Sequence, residues 1–209
     1  MMMKPLLQTL LLLLLLVAQS AWAGRGGERL DFFFQNVVTL KADFTQTVTD
    51  EDDVIVQEAA GRMKLLRPGR FRWDYETPFS QTIVADGQFV WIYDRELAQA
   101  SVRGMGEALG STPIVLLSES RPLGEDFTII EETSDGDMDW VEIVPKMKDT
   151  DFHRIRLGLD SEGLKRMVLF DQFGQRTVIR FSHMRVNEQI PAADFRFEAP
   201  PGVDVIRGE

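Results

Sequence analysis

Residues able to do covalent or metal chemistry are scarce among these 209 positions. There are two histidines, His153 and His183, and no cysteine. His153 stands beside Arg154, and His183 follows Phe181-Ser182. Both positions suit ordinary strand residues. No Gly-x-Ser-x-Gly elbow offers a serine nucleophile, no paired-histidine run offers a zinc site, and no glycine loop ends in a phosphate-binding lysine. Asp50-Glu51-Asp52-Asp53 has the charge of a calcium loop but not its spacing or central glycine, and reads as a solvated loop. These absences argue against catalysis and against a bound cofactor or metal. What remains is a single well-placed cation, Arg67, in the run Leu65–Tyr75.

That run reads as two strands folded back at Pro68-Gly69. A two-residue turn would set Leu65 against Arg72 and Met63 against Asp74. A three-residue turn of Pro68, Gly69 and Arg70 pairs Arg67 with Phe71, Leu65 with Trp73 and Met63 with Tyr75. Since a one-residue slip sends every side chain to the opposite face, the register decides the chemistry of the sheet. The three-residue turn separates an apolar face from a charged one and is the expectation. It also points Arg67 into the apolar face. Burying an unpaired guanidinium costs several kcal/mol, and arginine is rarely fully buried. The residues alone therefore favour Arg67 at the sheet rim, reaching water.

The elements that would position these residues follow from periodicity. Lys4, the apolar stretch Leu10–Val17 and Ala21-Trp22-Ala23 form a secretory leader, residues 1–23. The apolar stretch is too short for a stable membrane anchor. Cleavage after Ala23 would start the mature chain at Gly24, leaving 24–209 as one domain. The formal net charge is −10, and losing Lys4 with the leader makes it one unit more negative. Such a chain is a poor partner for nucleic acid and is repelled by anionic lipid. Any lipid would have to be held through an apolar site.

Leu30, Phe33, Phe34, Val37 and Val38 share one face of a helix near Glu28–Thr39. Leu40 to Val48 alternates as a strand that includes Phe44. Strands follow at Val54–Leu66, Phe71–Tyr75, Gln81–Ala85 and Gln88–Tyr93. In the last, Phe89, Trp91 and Tyr93 take one face and Val90 and Ile92 the other, so both faces need cover. Gln99–Ser120 shows no good strand. It holds a short helical stretch with Met105 and Leu109, then Thr112-Pro113 opening a helix of Ile114, Val115, Leu116 and Leu117. That helix is apolar nearly all round and must be buried or lie against a hydrophobic ligand. Strands return at Phe127–Glu131, Trp140–Val144, Phe152–Leu159, Leu164–Asp171 and Arg176–Met184, and Phe195 and Phe197 alternate near the end. The expected architecture is mainly β, a strongly curved antiparallel sheet with short helices on its concave side.

Several of these stretches together resemble the LolA family of periplasmic outer-membrane lipoprotein carriers. They are Arg67-Pro68 with Phe71-x-Trp73; Val84-Ala85-Asp86-Gly87 with Val90-Trp91-x-Tyr93; Gln99-Ala100; Ser111-Thr112-Pro113; and Phe195-x-Phe197 with Pro200-Pro201-Gly202-Val203. The resemblance implies an incomplete β-barrel under a helical lid. It implies a monomeric carrier that takes acylated lipoproteins from an inner-membrane ABC transporter to an outer-membrane receptor. It also implies that Arg67 latches the lid by hydrogen bonds to lid backbone and that Phe71 faces the cavity. The residues expected to line cavity and lid are then Phe44, Met63, Leu65, Phe71, Trp73, Phe89, Trp91, Met105, Leu109, Ile114, Leu116 and Leu117. The glycine-rich Gly104-Met105-Gly106 departs from the family pattern. A carrier of another lipid, such as a glycolipid or sterol-like molecule, and an accessory to a lipid-handling enzyme are the alternatives. The lipidated receptor that shares the fold is disfavoured by the missing cysteine.

Overall fold

Twelve strands pair into one ladder in this computed structural model, which describes residues 25–108, 114–120, 122–148 and 150–207. In chain order they are β1 (Thr39–Thr49), β2 (Ile55–Leu66), β3 (Arg70–Thr77), β4 (Gln81–Asp86), β5 (Phe89–Asp94), β6 (Gln99–Gly104), β7 (Phe127–Asp135), β8 (Met138–Pro145), β9 (Phe152–Asp160), β10 (Gly163–Asp171), β11 (Arg176–Val186) and β12 (Asp204–Arg207). Two meanders, β1 to β6 and β7 to β11, are joined where β11 lies antiparallel to β1. Strand β12 adds in parallel to β6, and the outer strands of the sheet are β12 and β7. The sheet is strongly curved and does not close on itself, as the sequence led us to expect. The leader, Leu109 and Thr112-Pro113 lie outside the described residues.

Three helices serve the concave face: α1 (Arg25–Asn36), α2 (Met105–Ala108) and α3 (Ile114–Ser118). Helix α1 packs across β7 to β10, while α3 packs on β2 and β3. Leu30 and Phe33 of α1, Ile114 to Leu117 of α3 and the inward residues of both meanders make one core cluster. The apolar, all-round character of α3 is thus explained by burial, since each of its five residues is buried.

Helix α1 stops three residues earlier than its periodicity suggests. Val37 still donates to the Phe33 carbonyl at 3.1 Å. Val38 has left the helix, bonds Asn187 Oδ1 at 2.9 Å and is 53% exposed. The reason is the sheet: Thr39 and Leu40 pair with Leu66 and Leu65, and a strand cannot begin while the helix continues.

The segment expected to lack strands contains β6. Gln99 to Gly104 has only Ala100 and Val102 as buried apolar residues, too little alternation to declare itself. Pairing with β5 on one side and β12 on the other makes it a strand. The Phe195-Phe197 alternation, in turn, is not a strand. Phe195 ends a 3-10 turn, Ala192–Phe195, and is buried. Phe197 lies against Trp91 and Tyr93 on the convex face, with ring centroids 5.4 and 5.3 Å away. The second face of β5 is covered, as required, but by this C-terminal segment and not by a helix.

Gly61 sets how the concave aromatics meet. It sits at a register shift in β2, between Phe44 of β1 and Tyr75 of β3. With no side chain between them, those two rings approach edge to face at 5.2 Å, and Phe44 lies 4.1 Å from Trp73. A Cβ on residue 61 would fall 1.9 Å from the Asp74 carbonyl oxygen and 3.0 Å from the Phe44 ring. Gly61→Ala should therefore destabilise the fold by about 2–3 kcal/mol, lowering Tm on the order of 4–12 °C. Thermal unfolding by circular dichroism checks this, and an unchanged Tm would contradict the packing described.

Candidate functional site

The β2–β3 turn is placed where two helices end. An α-helix leaves its last carbonyls without intrahelical partners, and neither α1 nor α3 has a basic residue in its final turn. Arg67 supplies the missing donors for both. Its Nε and Nη2 donate to the Leu117 carbonyl of α3 at 3.1 and 2.9 Å. Its Nη1 donates to the carbonyls of Phe33 at 3.0 Å, Phe34 at 3.2 Å and Val37. The next turn residue joins in: Gly69 N–H donates to the Ser118 carbonyl at 2.9 Å.

Arg67 is 6% exposed, which overturns the rim position favoured from composition. The reason is the number of carbonyls waiting for it. Among the described residues no carboxylate pairs with it. Its charge is balanced by two negative helix ends and by the faces of Phe33 and Phe34, 4.9 and 4.7 Å from the guanidinium carbon. Burial pulls its pKa well below the usual arginine range, to about 10. It still carries its charge at neutral pH.

This position also explains the hairpin register. The observed pairs are Leu66 with Arg70, Leu65 with Phe71, Met63 with Trp73 and Gly61 with Tyr75. The turn has three residues, as expected, but they are Arg67, Pro68 and Gly69, two positions from the predicted pairing. Arg67 is withdrawn from the ladder to reach the helices, and Gly69 takes a left-handed φ of +69° beside Met105. An even shift preserves the parity of both strands, so the apolar and charged faces are the predicted ones.

Phe44, Met63, Leu65, Phe71, Trp73, Ile114, Leu116 and Leu117 all meet in the core cluster, with Met105 packed against it. A cavity of about 160 Å³ remains between α3 and the concave sheet. Of the predicted residues, Trp73 and Ile114 line it. Its other apolar walls are Ile83 of β4, Phe152 of β9, Met167 and Leu169 of β10 and Ile179 of β11, and Gln46, Tyr75 and Thr177 add polar groups. Phe89 and Trp91 do not belong to it. Trp91 pairs across to Val84 and Val102, on the convex side beneath Phe197. Phe89 is on that same face and 47% exposed. Parity decides this: Val90, paired with the inward Ala85, takes the core face.

The lining residues of β10 and β11 were unforeseen, although their alternation was visible in the sequence. Their relevance depends on β11 lying beside β1, a contact between strands about 140 positions apart.

The chain matches the family model described as outer membrane lipoprotein carrier protein LolA over residues 35–198. The chain belongs to the LolA family. Relatives named outer-membrane lipoprotein carrier protein include one from Nitrosospira multiformis, 43% identical over 93% of this chain and 94% of its own. Another, from Dechloromonas aromatica, is 42% identical over 86% of each chain. Two solved structures share the fold at lower identity. An uncharacterized conserved protein from Thermus thermophilus aligns with a TM-score of 0.55 and 16% identity, over 88% of this chain and all of that one. A LolA superfamily protein from Nitrosomonas europaea aligns with a TM-score of 0.51 and 12% identity, over 84% of this chain and 99% of its own. These likenesses carry the curved β-sheet architecture and nothing finer.

Two measurements test the Arg67 bridge. Arg67→Leu should leave the sheet folded while the amides of α3 and Gly69 exchange at least about tenfold faster, since charge-assisted hydrogen bonds contribute roughly 1.5–3 kcal/mol each. Hydrogen exchange read by mass spectrometry reports it. In the native chain the exchange free energy of α3 should be flat from pH 5 to 9. Burial favours the neutral guanidine, but its pKa of about 10 keeps the group charged throughout that window, and relief of the burial penalty begins only as pH rises past it.

Proposed function

We propose that the chain is a soluble periplasmic carrier that shields the acyl chains of lipoproteins between the concave sheet and helix α3. The observation that carries this reading is a helix of four consecutive large apolar residues held over an apolar sheet face by a buried arginine. Exposing a sixteen-carbon chain to water costs on the order of 12 kcal/mol, so acylated cargo needs such a surface to cross an aqueous compartment. The names of the 40%-range relatives, outer-membrane lipoprotein carrier protein, support the same cargo. On this reading the leader is removed after Ala23. Among the described residues no helix is long and apolar enough to cross a membrane.

The size of this cavity, which is only partly enclosed, is telling. About 160 Å³ is the size that admits a benzene-like molecule, far short of one acyl chain. The closed arrangement is therefore the empty one, and loading requires α3 to leave the concave face. Breaking the Arg67 bridge is part of that step. Its hydrogen bonds then oppose loading and favour discharge, which trims an affinity otherwise too great for release. The chain would load at an inner-membrane ABC transporter and unload at an outer-membrane receptor.

The decisive experiment purifies the chain from its own periplasm and identifies the bound molecule by native mass spectrometry. A triacylated peptide is expected; a glycolipid or sterol would overturn the assignment of cargo. In a transfer assay, Arg67→Leu should hold acylated lipoprotein about 10–100-fold more tightly and deliver it correspondingly more slowly. Delivery at the native rate would remove the arginine from the mechanism.

A further inference from the structure

Charge is spread unevenly over this chain. The formal net charge is −10, yet the convex face of β9 to β11 is basic. Met167, Leu169 and Ile179 line the cavity, so their neighbours on the same strands point the other way. There Arg166 stands directly opposite Arg180, Val168 opposite Val178, and Phe170 opposite Arg176. Strand β9 sets Arg156 beside Val168 and Arg154 beside Phe170. Five arginines thus surround two valines.

Two carboxylates answer them. Glu142 of β8 is shared by Arg154 and Arg156, at 3.7 and 3.6 Å, and Asp53 of the β1–β2 loop meets Arg176 at 2.8 Å. Arg166 and Arg180 are exposed and have no ion-pair partner among the described residues. Like charges directly across a ladder are unfavourable. In so acidic a chain, an unneutralised pair points to a counter-charge from outside. Acids mark the border of the patch: Glu58, across Thr47 from Val178, and Asp43, which binds His183 at 2.8 Å. Toward β7 the register sets Glu131 opposite Glu142.

The surface narrows the partner. The guanidinium carbons of Arg154 and Arg156 cap the rings of Phe170 and Trp140, 3.9 and 4.9 Å from their centroids. Val168 is buried and Val178 half-buried. A stable protein interface is anchored by apolar or aromatic side chains at its centre, and this convex patch presents none that is exposed. A plane of phosphates needs no such anchor, because guanidinium forks meet phosphate oxygens in pairs.

We propose that the back of β9 to β11 docks on a membrane leaflet carrying anionic phospholipid headgroups. This reverses locally the repulsion expected from the net charge, since screening limits the reach of each exposed charge to about 8 Å at physiological salt. The three helices lie on the opposite, concave side. A docked chain therefore turns α3 and the cavity away from the bilayer, and its approach to a membrane does not open the cavity to bulk lipid. The docking stands apart from the carrier reading and needs no cargo.

The test is co-sedimentation of the purified chain with sucrose-loaded vesicles. Phosphatidylcholine with about 30% phosphatidylglycerol should bind the native chain at least about tenfold better than phosphatidylcholine alone, and that advantage should vanish between about 25 and about 300 mM NaCl. Arg166→Gln together with Arg180→Gln should weaken binding to the anionic vesicles about 10–30-fold, near fivefold for each charge. Arg25→Gln with Arg95→Gln removes two exposed cations elsewhere; it changes the net charge equally and should alter binding by less than about twofold. Arg166→Lys with Arg180→Lys should hold binding within about threefold. Equal binding of both vesicles by the native chain, or equal loss from the two glutamine pairs, overturns the docking surface. So does a poly-glutamate peptide that binds more tightly than the anionic vesicles and is lost with Arg166 and Arg180, since the face then belongs to an acidic protein. Should the glutamine pair at 166 and 180 unfold by circular dichroism, the single substitutions are read instead. Each should cost about fivefold, and native binding by both overturns the proposal.

Discussion

A guanidinium buried without a counter-ion is the constraint on which the remainder of this structure hangs. Left alone at that depth, Arg67 would cost several kcal/mol. It is tolerated because two helix ends converge on it with four carbonyls, of which only that of Phe33 also accepts a backbone N–H of its own helix end. The debts cancel: the helices lack donors, and the arginine lacks acceptors. Lysine would not do, since the match depends on a planar fork of fixed N–H directions that can face two helices at once. The bridge is also strategic. Helix α1 belongs to the β7–β10 half of the sheet and α3 to the β2–β3 half, so one side chain ties both halves of the interior together.

The sheet supplies what that bridge closes over. Gly61 lets Phe44, Trp73 and Tyr75 form a continuous aromatic layer on the concave side. On the other side Phe195 is buried and Phe197 clamps Trp91 and Tyr93, so the back of β3 to β5 is packed by the chain's own tail. The interior cover is different in kind. Helix α3 has five residues, far below the length at which a helix holds itself in water. Its persistence depends on packing and on the carbonyl contacts from Arg67 and Gly69. The firm back and the conditional cover follow from the same accounting of apolar area and backbone hydrogen bonds.

Most strands were legible from alternation, and their inward faces from parity. What escaped the sequence was long-range. The residue types around Arg67 argued for a solvent-exposed rim, because nothing local announces that two helix ends will arrive there. The hairpin was given its correct faces and a register displaced by two, since Arg67 is withdrawn by contacts 30 to 50 residues distant in the chain. Phe89 and Trp91 looked like cavity residues because aromatics suggest an interior. Their side of β5 became an interior only when the C-terminal segment crossed it. Strand β6, poor in apolar side chains, is defined by its neighbours.

The unclosed ladder has one further consequence. In a sealed barrel the bore is dictated by strand number and shear. Here β7 and β12 end the sheet without meeting, so no ring of backbone bonds prescribes a diameter. The girth of the hollow is set instead by what packs against the sheet, the helices on its concave side and the C-terminal segment on its back.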